Sequence, residues 1–376
     1  MHAAVIALAL FLAAPGAQAQ QAPQPPAIAA RAFHVSDLTS GQVLAQYKAD
    51  ERIEPASLTK LMTAYLAFGA LREGRLAPAQ QVQVSAQARN APGSRTFLEE
   101  GSSVSVDTLL RGMVVHSGND ACIALAEVLA GSEPQFAEQM NREAARLGMR
   151  DTRFANATGL PHPRHYSTAR DLARLAAALI RDFPEEYARY YSMKEFRHND
   201  ITQMNRNRLL WLDPSVDGVK TGFTEAAGYG LIASSERGGR RLLSVLLGAD
   251  SEAARARESQ KLLNWGYQVF DGVRLYEPGQ AVKAIHVWKG ADQAVRAGFE
   301  RGLVVTVPKG EAKLLGAELL THPPVLAPVR KGDKVGVLRV ALDGRPLGEY
   351  PVVALESVPQ AGILGRAWDT LRLWLK

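Results

Sequence analysis

The chain has 376 residues, of which 47% are hydrophobic and 22% are charged, and its formal net charge is +6 at pH 7. This length and composition predict a folded protein with room for two domains and exclude a mostly disordered chain. The Lys and Arg residues are scattered and form no basic stripe interleaved with aromatic residues, so nucleic acid is not an expected partner.

The N-terminal segment is typical of a secretory signal peptide. Residues 1–19 contain no Lys, Arg, Asp or Glu, and an apolar run over 3–14 is followed by small residues up to Ala19. We therefore predict a signal peptide over 1–19, although no Lys or Arg precedes the apolar run. A transmembrane helix is disfavoured because the run is shorter than the roughly 20 residues that span a bilayer. For an exported protein of positive charge, anionic lipid and cell wall are the expected counter-surfaces.

The mature chain begins with signals for a spacer, a hairpin and a helix. Residues 20–31 are rich in Gln, Pro and Ala, which predicts a disordered spacer. The alternation over 32–47 breaks at Thr39–Gln42 and predicts a β-hairpin. A largely apolar helix is then predicted from Ser57 to about Gly74.

The middle of the chain alternates further elements. A strand is predicted over 81–85 and a loop over 86–101, followed by helices over 106–113, 121–130, 134–147 and 172–180. The last of these helices follows a capping box at Thr168–Asp171. Two strands joined at Gly238–Gly239 and a helix that packs on them complete this part, predicted over 228–235, 241–247 and 253–270. The single cysteine, Cys122, excludes an intramolecular disulfide and lies in an apolar helical stretch, which predicts a packing role.

The C-terminal part has a different pattern. From about Asp271 to Val358 the chain consists of short Val-rich segments with Gly and Pro breaks, which predicts a small all-β domain. The terminal segment 360–376 places two tryptophans and other apolar residues on one helical face and mostly charged residues on the other. Such a helix is suited to lie flat in a membrane interface, and the alternative is a helix packed on the β-domain. The predicted domains are thus 32–272 and 273–358, followed by the helix over 360–376.

Ser57 and Lys60 carry the first chemical signal. At positions i and i+3 of a helix their side chains share one face. A buried lysine loses part of its preference for the charged form, and its free amine can then take the proton of a serine nucleophile. The Ser-x-x-Lys pattern alone is common by chance, so it indicates an active site only when further catalytic motifs occur in the same chain.

Two further motifs follow it in order, Ser117-Gly118-Asn119 and Lys220-Thr221-Gly222. Together the three resemble the serine enzymes that recognise penicillin. The Ser-Gly-Asn form of the second motif is similar to low-molecular-mass penicillin-binding proteins that act as D-alanyl-D-alanine carboxypeptidases. The resemblance covers the mature chain from about Ala32 and includes the surrounding stretches 117–122, 205–211, 216–222 and 261–266.

This resemblance implies a role for each motif residue. Ser57 is the expected nucleophile and Lys60 its base, while Ser117 and Lys220 pass a proton to the departing D-alanine and Asn119 binds the substrate amide. The backbone N–H groups of Ser57 and Phe223 are the expected oxyanion donors.

The rest of the implied site binds the substrate. Thr221 and Lys220 are expected to bind its terminal carboxylate together with Arg255, with Gly222 beside them and Arg206 supporting the site near Lys220. Arg257 lies only two residues further on, so the resemblance leaves open whether Arg255 or Arg257 is the carboxylate-binding arginine. This chain has Phe223 where the family often has a histidine, which changes the pocket wall but not the backbone donor.

Several other functions are less favoured. His162 and His165 share a loop, but no Cys, Asp or Glu cluster joins them, and two surface histidines are the better interpretation. No Gly-x-Ser-x-Gly elbow supports a lipase-type enzyme, and no Glu-x-x-Leu-Asn between Asn119 and Lys220 supplies the deacylating base of a class A β-lactamase. A D-alanyl endopeptidase acting on cross-linked peptidoglycan and a non-enzymatic cell-wall scaffold remain as alternatives.

The predicted fold is an α/β (α+β) serine transpeptidase/β-lactamase-like domain, with an antiparallel sheet flanked by helices, followed by the all-β domain and the terminal amphipathic helix. The expected substrate is the peptidoglycan pentapeptide, with β-lactams as covalent inhibitors and without a metal or organic cofactor. The expected location is the periplasm, on the outer face of the cytoplasmic membrane, with the C-terminal helix on the anionic membrane surface.

Overall fold

A computed structural model describes residues 23–321 and 324–374, so the predicted signal peptide lies outside the described residues. The helices are α1 (Lys60–Arg72), α2 (Ala86–Arg89), α3 (Val106–Val115), α4 (Asn119–Ala130), α5 (Glu133–Arg146), α6 (Ala169–Asp182), α7 (Pro184–Tyr190), α8 (Leu209–Leu212), α9 (Glu252–Val269) and α10 (Ile363–Trp374). The strands of the first domain are β1 (Ala32–Asp37), β2 (Gln42–Tyr47), β3 (Gln81–Gln83), β4 (Ser103–Ser105), β5 (Glu195–His198), β6 (Ile201–Met204), β7 (Val216–Thr224), β8 (Gly228–Arg237) and β9 (Arg240–Ala249).

A five-stranded antiparallel sheet organises this domain, in the order β2-β1-β9-β8-β7. Successive side chains of a strand point to opposite faces, so each strand contributes to two layers. Phe33 and Val35 of β1 pack with Ala254 and Leu262 of α9 on one face. The opposite face meets the helical layer that contains α1 and α6. The predicted antiparallel sheet flanked by helices is confirmed.

The helical layer holds the largest core of the described residues. Helix α1 is apolar around most of its circumference, and side chains such as Leu61, Met62 and Phe68 have no exposed surface. A helix of this kind is stable only when protein surrounds it on all sides. Thr168 caps α6 by accepting a hydrogen bond from the Asp171 N–H, as the capping-box pattern predicted.

The second domain is all-β, as predicted. Its strands are β10 (Phe270–Tyr276), β11 (Ala281–Trp288), β12 (Ala294–Gly298), β13 (Leu303–Pro308), β14 (Leu315–Thr321), β15 (Val325–Leu326), β16 (Lys334–Leu342) and β17 (Arg345–Ala354). Alternate apolar residues such as Val305, Val307, Leu338 and Val340 fill its core. β10 pairs with β13 from Phe270 onward, so the β-structure begins inside the segment 32–272 that the composition assigned to the first domain.

The two domains are joined without a linker, because β10 follows directly on the last residue of α9. Asp37 is completely buried at their junction, where its Oδ2 accepts hydrogen bonds from Arg240 Nε at 2.6 Å and Thr306 Oγ1 at 2.8 Å. The Gln42 side-chain amide bonds both backbone groups of Thr306, at 2.6 and 2.9 Å. These polar contacts hold the β-domain against the hairpin of β1 and β2.

The ends of the described chain differ from each other. Residues 23–31 have no regular secondary structure, but Ile28 and Ala30 pack beside α9 and the Arg31 N–H bonds the Leu247 carbonyl, so the predicted disordered spacer is wrong for its last residues. At the other end, Ile363, Trp368, Leu371 and Trp374 of α10 are exposed. Among the described helices, none has the length and apolar character needed to cross a membrane.

Three local predictions need correction. Ser57 lies in a 3₁₀ turn, Ala56–Thr59, and the α-helix begins only at Lys60. The strand predicted over 81–85 ends at Gln83, and Ser85 instead caps α2 inside the predicted loop. The helix α7 and the hairpin of β5 and β6 carry no strong periodic pattern and were not predicted from the sequence.

Candidate active site

The amine of Lys60 lies beside the hydroxyl of Ser57, with 3.1 Å between Nζ and Oγ. The 3₁₀ turn and the start of α1 bring the two side chains to the same side of the chain. Lys60 Nζ also donates to Asn119 Oδ1 at 2.6 Å and to the Thr158 carbonyl at 2.7 Å. Three oxygen acceptors therefore fix the position of this amine, which is 1% exposed.

Burial lowers the pKa of Lys60 from its usual value near 10.5 to about 8, and the charge of Arg206 acts in the same direction. A larger fraction of the free amine is consequently present near neutral pH than for an exposed lysine. The amine is thus both positioned and available to accept a proton from Ser57.

Ser117 and Asn119 lie where α3 ends and α4 begins. Ser117 has a positive φ of 68°, which is uncommon for a residue with a side chain, and its buried Oγ has no hydrogen-bond partner among the described residues. Asn119 accepts from Lys60 and donates through Nδ2 to the Pro92 carbonyl at 2.6 Å. The two side chains line the same cleft as Ser57.

Strand β7 forms the opposite wall. Thr221, Gly222 and Phe223 line the cleft, while Lys220 is buried and its Nζ donates to the Thr221 carbonyl at 3.1 Å. Burial, and then the positive charges of Lys60, Arg206 and Arg255, hold the pKa of Lys220 well below its usual range. No hydrogen bond joins Lys220 to the unpartnered hydroxyl of Ser117 in this structure.

Gly222 allows β7 to approach closely the turn that carries Ser57. A Cβ atom at this position would lie 3.0 Å from the Pro55 carbonyl oxygen and 3.1 Å from Leu58 Cγ. A side chain here would be tight against the 3₁₀ turn that carries Ser57, and its neighbours would have to shift by a few tenths of an ångström. Gly222 therefore acts through its missing side chain, which narrows the cleft between the two walls.

Arg255 and Arg206 complete the cleft, whose volume is about 320 Å³. Arg255 lies in the first turns of α9, and its guanidinium donates to the carbonyl oxygens of Gly222 and Arg206, both at 3.4 Å. Arg257 instead bonds Glu258, its side chain is 60% exposed and it does not line the cleft. The geometry therefore favours Arg255 over Arg257.

The aromatic wall and Arg206 have their own contacts. Phe223 is half exposed and packs on Tyr229, with ring centroids 4.3 Å apart. Arg206 Nη2 lies 3.4 Å from His116 Nε2, and the other ring nitrogen of His116 lies 3.3 Å from the Met204 carbonyl. The hairpin of β5 and β6 is thereby tied to the cleft through His116.

Two acidic residues near the cleft were not predicted from the sequence. Asp120 is buried and accepts hydrogen bonds from the N–H groups of Thr96 at 2.8 Å and Leu98 at 3.1 Å, which fixes the loop before β4. Glu252 lines the cleft and forms an ion pair with Arg255. The position of both acids in the first turn of a helix, α4 and α9, was the available signal.

The remaining candidate residues have structural contacts. His165 is buried rather than on the surface, and its ring lies 2.8 Å from Thr59 Oγ1 through Nε2, while burial lowers its pKa to about 4. His162 Nδ1 accepts from the Arg164 N–H. Cys122 is fully buried, and its thiol donates to the Ala157 carbonyl. Burial raises the pKa of Cys122 to about 11, which keeps it a thiol.

A larger groove of about 520 Å³ lies between β1 and α6. Four arginines line it, Arg170, Arg174, Arg181 and Arg241. Each of them is already paired with an Asp or Glu side chain. The smaller cleft at Ser57 is therefore the candidate active site, because it joins a serine, a lysine amine of lowered pKa and a buried arginine.

Comparison with known proteins identifies the family of the chain. Residues 19–251 match a family profile described as D-alanyl-D-alanine carboxypeptidase, and residues 270–360 match the C-terminal domain of penicillin-binding protein 5. The chain is 44% identical to the D-alanyl-D-alanine carboxypeptidase DacC of Escherichia coli (strain K12), over 96% of this chain and 92% of that protein.

Solved structures give the same result. The crystal structure of penicillin-binding protein 5 from Haemophilus influenzae has a TM-score of 0.84 at 39% identity, covering 90% of this chain and 100% of that chain. Penicillin-binding protein D2 from Listeria monocytogenes, solved in a cefotaxime-bound form, has a TM-score of 0.60 at 31% identity, covering 65% of this chain and 100% of that chain. The chain therefore belongs to the D-alanyl-D-alanine carboxypeptidase family, the serine penicillin-binding enzymes.

Proposed function

We propose that this chain removes the terminal D-alanine from peptidoglycan pentapeptide stems through a seryl ester on Ser57. The observation that carries the proposal is the 3.1 Å contact between Ser57 Oγ and the buried amine of Lys60, whose pKa is about 8. An amine of this pKa is a base near neutral pH, and Ser57 carries the hydroxyl that it contacts directly.

Acylation is the first step. Ser57 Oγ attacks the carbonyl carbon of the penultimate D-alanine, and its proton passes to Lys60 Nζ. The carbonyl oxygen becomes an oxyanion, which the backbone N–H groups of Ser57 and Phe223 hold. The C–N bond then breaks, and the departing nitrogen receives a proton through Ser117 and Lys220. The buried, unpartnered Ser117 hydroxyl in the cleft supports this assignment.

Deacylation completes the reaction. Water attacks the ester carbon, and the proton it loses replaces the one that Ser117 and Lys220 passed to the departing nitrogen. Ser57 regains its own proton from Lys60, and the shortened peptide leaves. Asn119 is proposed to bind the substrate amide, and Thr221, Lys220 and Arg255 to bind the terminal carboxylate. The position of Arg255 on the cleft wall, where its guanidinium already pairs with the carboxylate of Glu252, supports that role.

β-Lactams are proposed as covalent inhibitors of the same serine. The Listeria relative was solved in a cefotaxime-bound form, and this chain carries the matching fold. A penicilloyl ester on Ser57 persists because no Glu-x-x-Leu-Asn segment supplies a dedicated base for its hydrolysis.

The location of the enzyme is a further part of this proposal. The chain is exported to the periplasm, and α10 lies on the outer face of the cytoplasmic membrane. The exposed Ile363, Trp368, Leu371 and Trp374 support an interfacial helix, in which aromatic and aliphatic side chains enter the headgroup region. The domain limits proposed for this arrangement are residue 32 to the end of α9 for catalysis, β10 to residue 358 for the β-domain and 360–376 for the anchor.

The test is release of free D-alanine from a defined pentapeptide by the wild type and by Ser57→Ala. The matched control is Ser192→Ala, because Ser192 is an exposed serine whose hydroxyl bonds only the Ala188 carbonyl of its own helix region. We expect release by the wild type and the control, and none by Ser57→Ala. Cleavage of a cross-linked dimer in preference to the pentapeptide would indicate an endopeptidase, and equal labelling of Ser57→Ala by a fluorescent penicillin would refute the assignment of the nucleophile.

A further inference from the structure

The cleft is rich in positive charge except at one point. Arg206 and Arg255 line it, and among the described residues of its lining Glu252 is the only acid. The positive charges of Lys60, Arg206 and Arg255 act on the buried Lys220, and that of Arg206 acts on Lys60. A site with such an excess of cations attracts carboxylates, whether they belong to a ligand or to the protein.

Glu252 already supplies a carboxylate to this site. Its Oε1 lies 3.1 Å from Arg255 Nη2, which is shorter than the two 3.4 Å contacts that Arg255 makes with carbonyl oxygens. The Arg255 side chain is 4% exposed, whereas that of Glu252 is 54% exposed. The buried arginine is therefore fixed in place, and the acid is the partner with room to move.

We infer that Glu252 is a specificity-determining residue, which occupies Arg255 in the resting enzyme and gives way to the carboxylate of an incoming ligand. A ligand with a carboxylate must replace this ion pair, and part of its binding energy is lost in doing so. A ligand without a carboxylate leaves the pair intact. Glu252 thus reduces the advantage that Arg255 gives to carboxylate-bearing ligands.

The side chain of Glu252 has a favourable position to occupy after it leaves Arg255. Glu252 lies in the first turn of α9, directly after the N-cap Ser251, and a negative charge is stabilised at the N-terminus of a helix. Released from Arg255, the carboxylate remains in solvent beside that helix end. The exchange therefore costs the protein little beyond the ion pair itself.

The experiment compares Glu252→Gln with the wild type. For a peptide ending in D-alanyl-D-alanine we expect KM to fall by about threefold to tenfold with kcat nearly unchanged, because the pair is half exposed but has one buried partner. The second-order rate of acylation by benzylpenicillin, which carries a carboxylate, should rise by the same factor. For the peptide whose terminal carboxylate is amidated, the change should stay below about twofold.

Two controls test the route through Arg255. Glu225 is an exposed acid next to Thr224 at the cleft, and it has no ion pair with Arg255. If the ion pair with Arg255 matters rather than the net charge, Glu225→Gln should leave KM unchanged. In an Arg255→Gln background, Glu252→Gln should give no further gain. Thermal unfolding checks that each variant is folded, and Glu252→Ala should repeat the effect of Glu252→Gln.

Several results would overturn the inference: an unchanged or raised KM in Glu252→Gln, an equal gain for the amidated peptide, or a gain that persists without Arg255. The inference rests on the proposed function only for the natural substrate. If the wild type releases no D-alanine, the proposed function fails, whereas the penicillin rates still decide the role of Glu252.

Discussion

The buried amine of Lys60 gives a sharp prediction for the pH dependence of acylation. In its proposed role Lys60 accepts the Ser57 proton only as a free amine, and burial lowers its pKa to about 8. The rate of acylation should therefore rise as the pH rises through that value and level off above it. An exposed lysine, with a pKa of about 10.4, would keep the rate rising well beyond pH 9.

The size of the effect follows from the fraction of free amine. With a pKa of about 8, this fraction is about 1% at pH 6, about 10% at pH 7 and about 90% at pH 9. We thus expect the second-order rate of acylation to increase nearly tenfold from pH 6 to pH 7 and by less than about twofold above pH 8.5. The assay is covalent labelling of Ser57 by a fluorescent penicillin, followed over time at each pH.

A variant of Arg206 tests the cause of the shift. The positive charge of Arg206 adds to burial in lowering the pKa of Lys60, so Arg206→Gln should raise that pKa and move the midpoint of the profile to higher pH. Arg189→Gln is the matched control, because Arg189 is an exposed arginine paired with Asp107 outside the cleft.

A profile that is flat from pH 6 to 10, or one whose midpoint lies above pH 10, would show that Lys60 is not the base with this pKa. A shift of the Arg206→Gln midpoint to lower pH would also contradict the electrostatic reasoning. An equal shift in Arg189→Gln would indicate a general effect of net charge.

Three further predictions follow from buried contacts and from α10. Asp120→Ala should lower the melting temperature and slow penicillin acylation, since the Thr96 and Leu98 N–H groups each lose a buried acceptor at a cost of about 1–3 kcal/mol. Asp120→Asn keeps an acceptor oxygen, so its loss of stability should be smaller. Asp37→Ala leaves the Arg240 charge unpaired at the domain junction, so urea unfolding should show a loss of about 3–5 kcal/mol, and an unchanged midpoint would contradict this role. Deletion of 362–376 should leave D-alanine release intact and remove the protein from membrane vesicles, and continued retention would count against the anchor.

The contact between Ser57 and Lys60 could be predicted because it is local. Ser57 and Lys60 are three residues apart, and any helical turn, 3₁₀ or α, brings them to one side. The apolar neighbours predicted the burial of the amine as well. The sequence therefore indicated both the contact and the direction of the pKa shift, which depends on desolvation.

Other features depend on contacts between distant segments and were beyond local patterns. His165 was expected on the surface, but Thr59 lies more than a hundred residues earlier and its hydroxyl gives the ring a buried partner. The choice between Arg255 and Arg257 needed the packing of α9 on the sheet, which turns Arg255 toward the cleft. Glu252 shows the same limit, since an acid in a first helical turn is usually no more than a favourable end charge.

The junction between α9 and β10 links the chemistry to the second domain. Arg255 lies near the start of α9, and the last residue of the same helix is followed at once by the strand that opens the β-domain. Because Asp37 bonds both Arg240 and Thr306 at this junction, the two domains have little freedom to rotate against each other. If the terminal helix rests on a lipid surface, the β-domain then acts as a rigid spacer. It fixes the distance of the cleft from the membrane and the direction in which the cleft opens. Only wall peptides at that distance can reach Ser57.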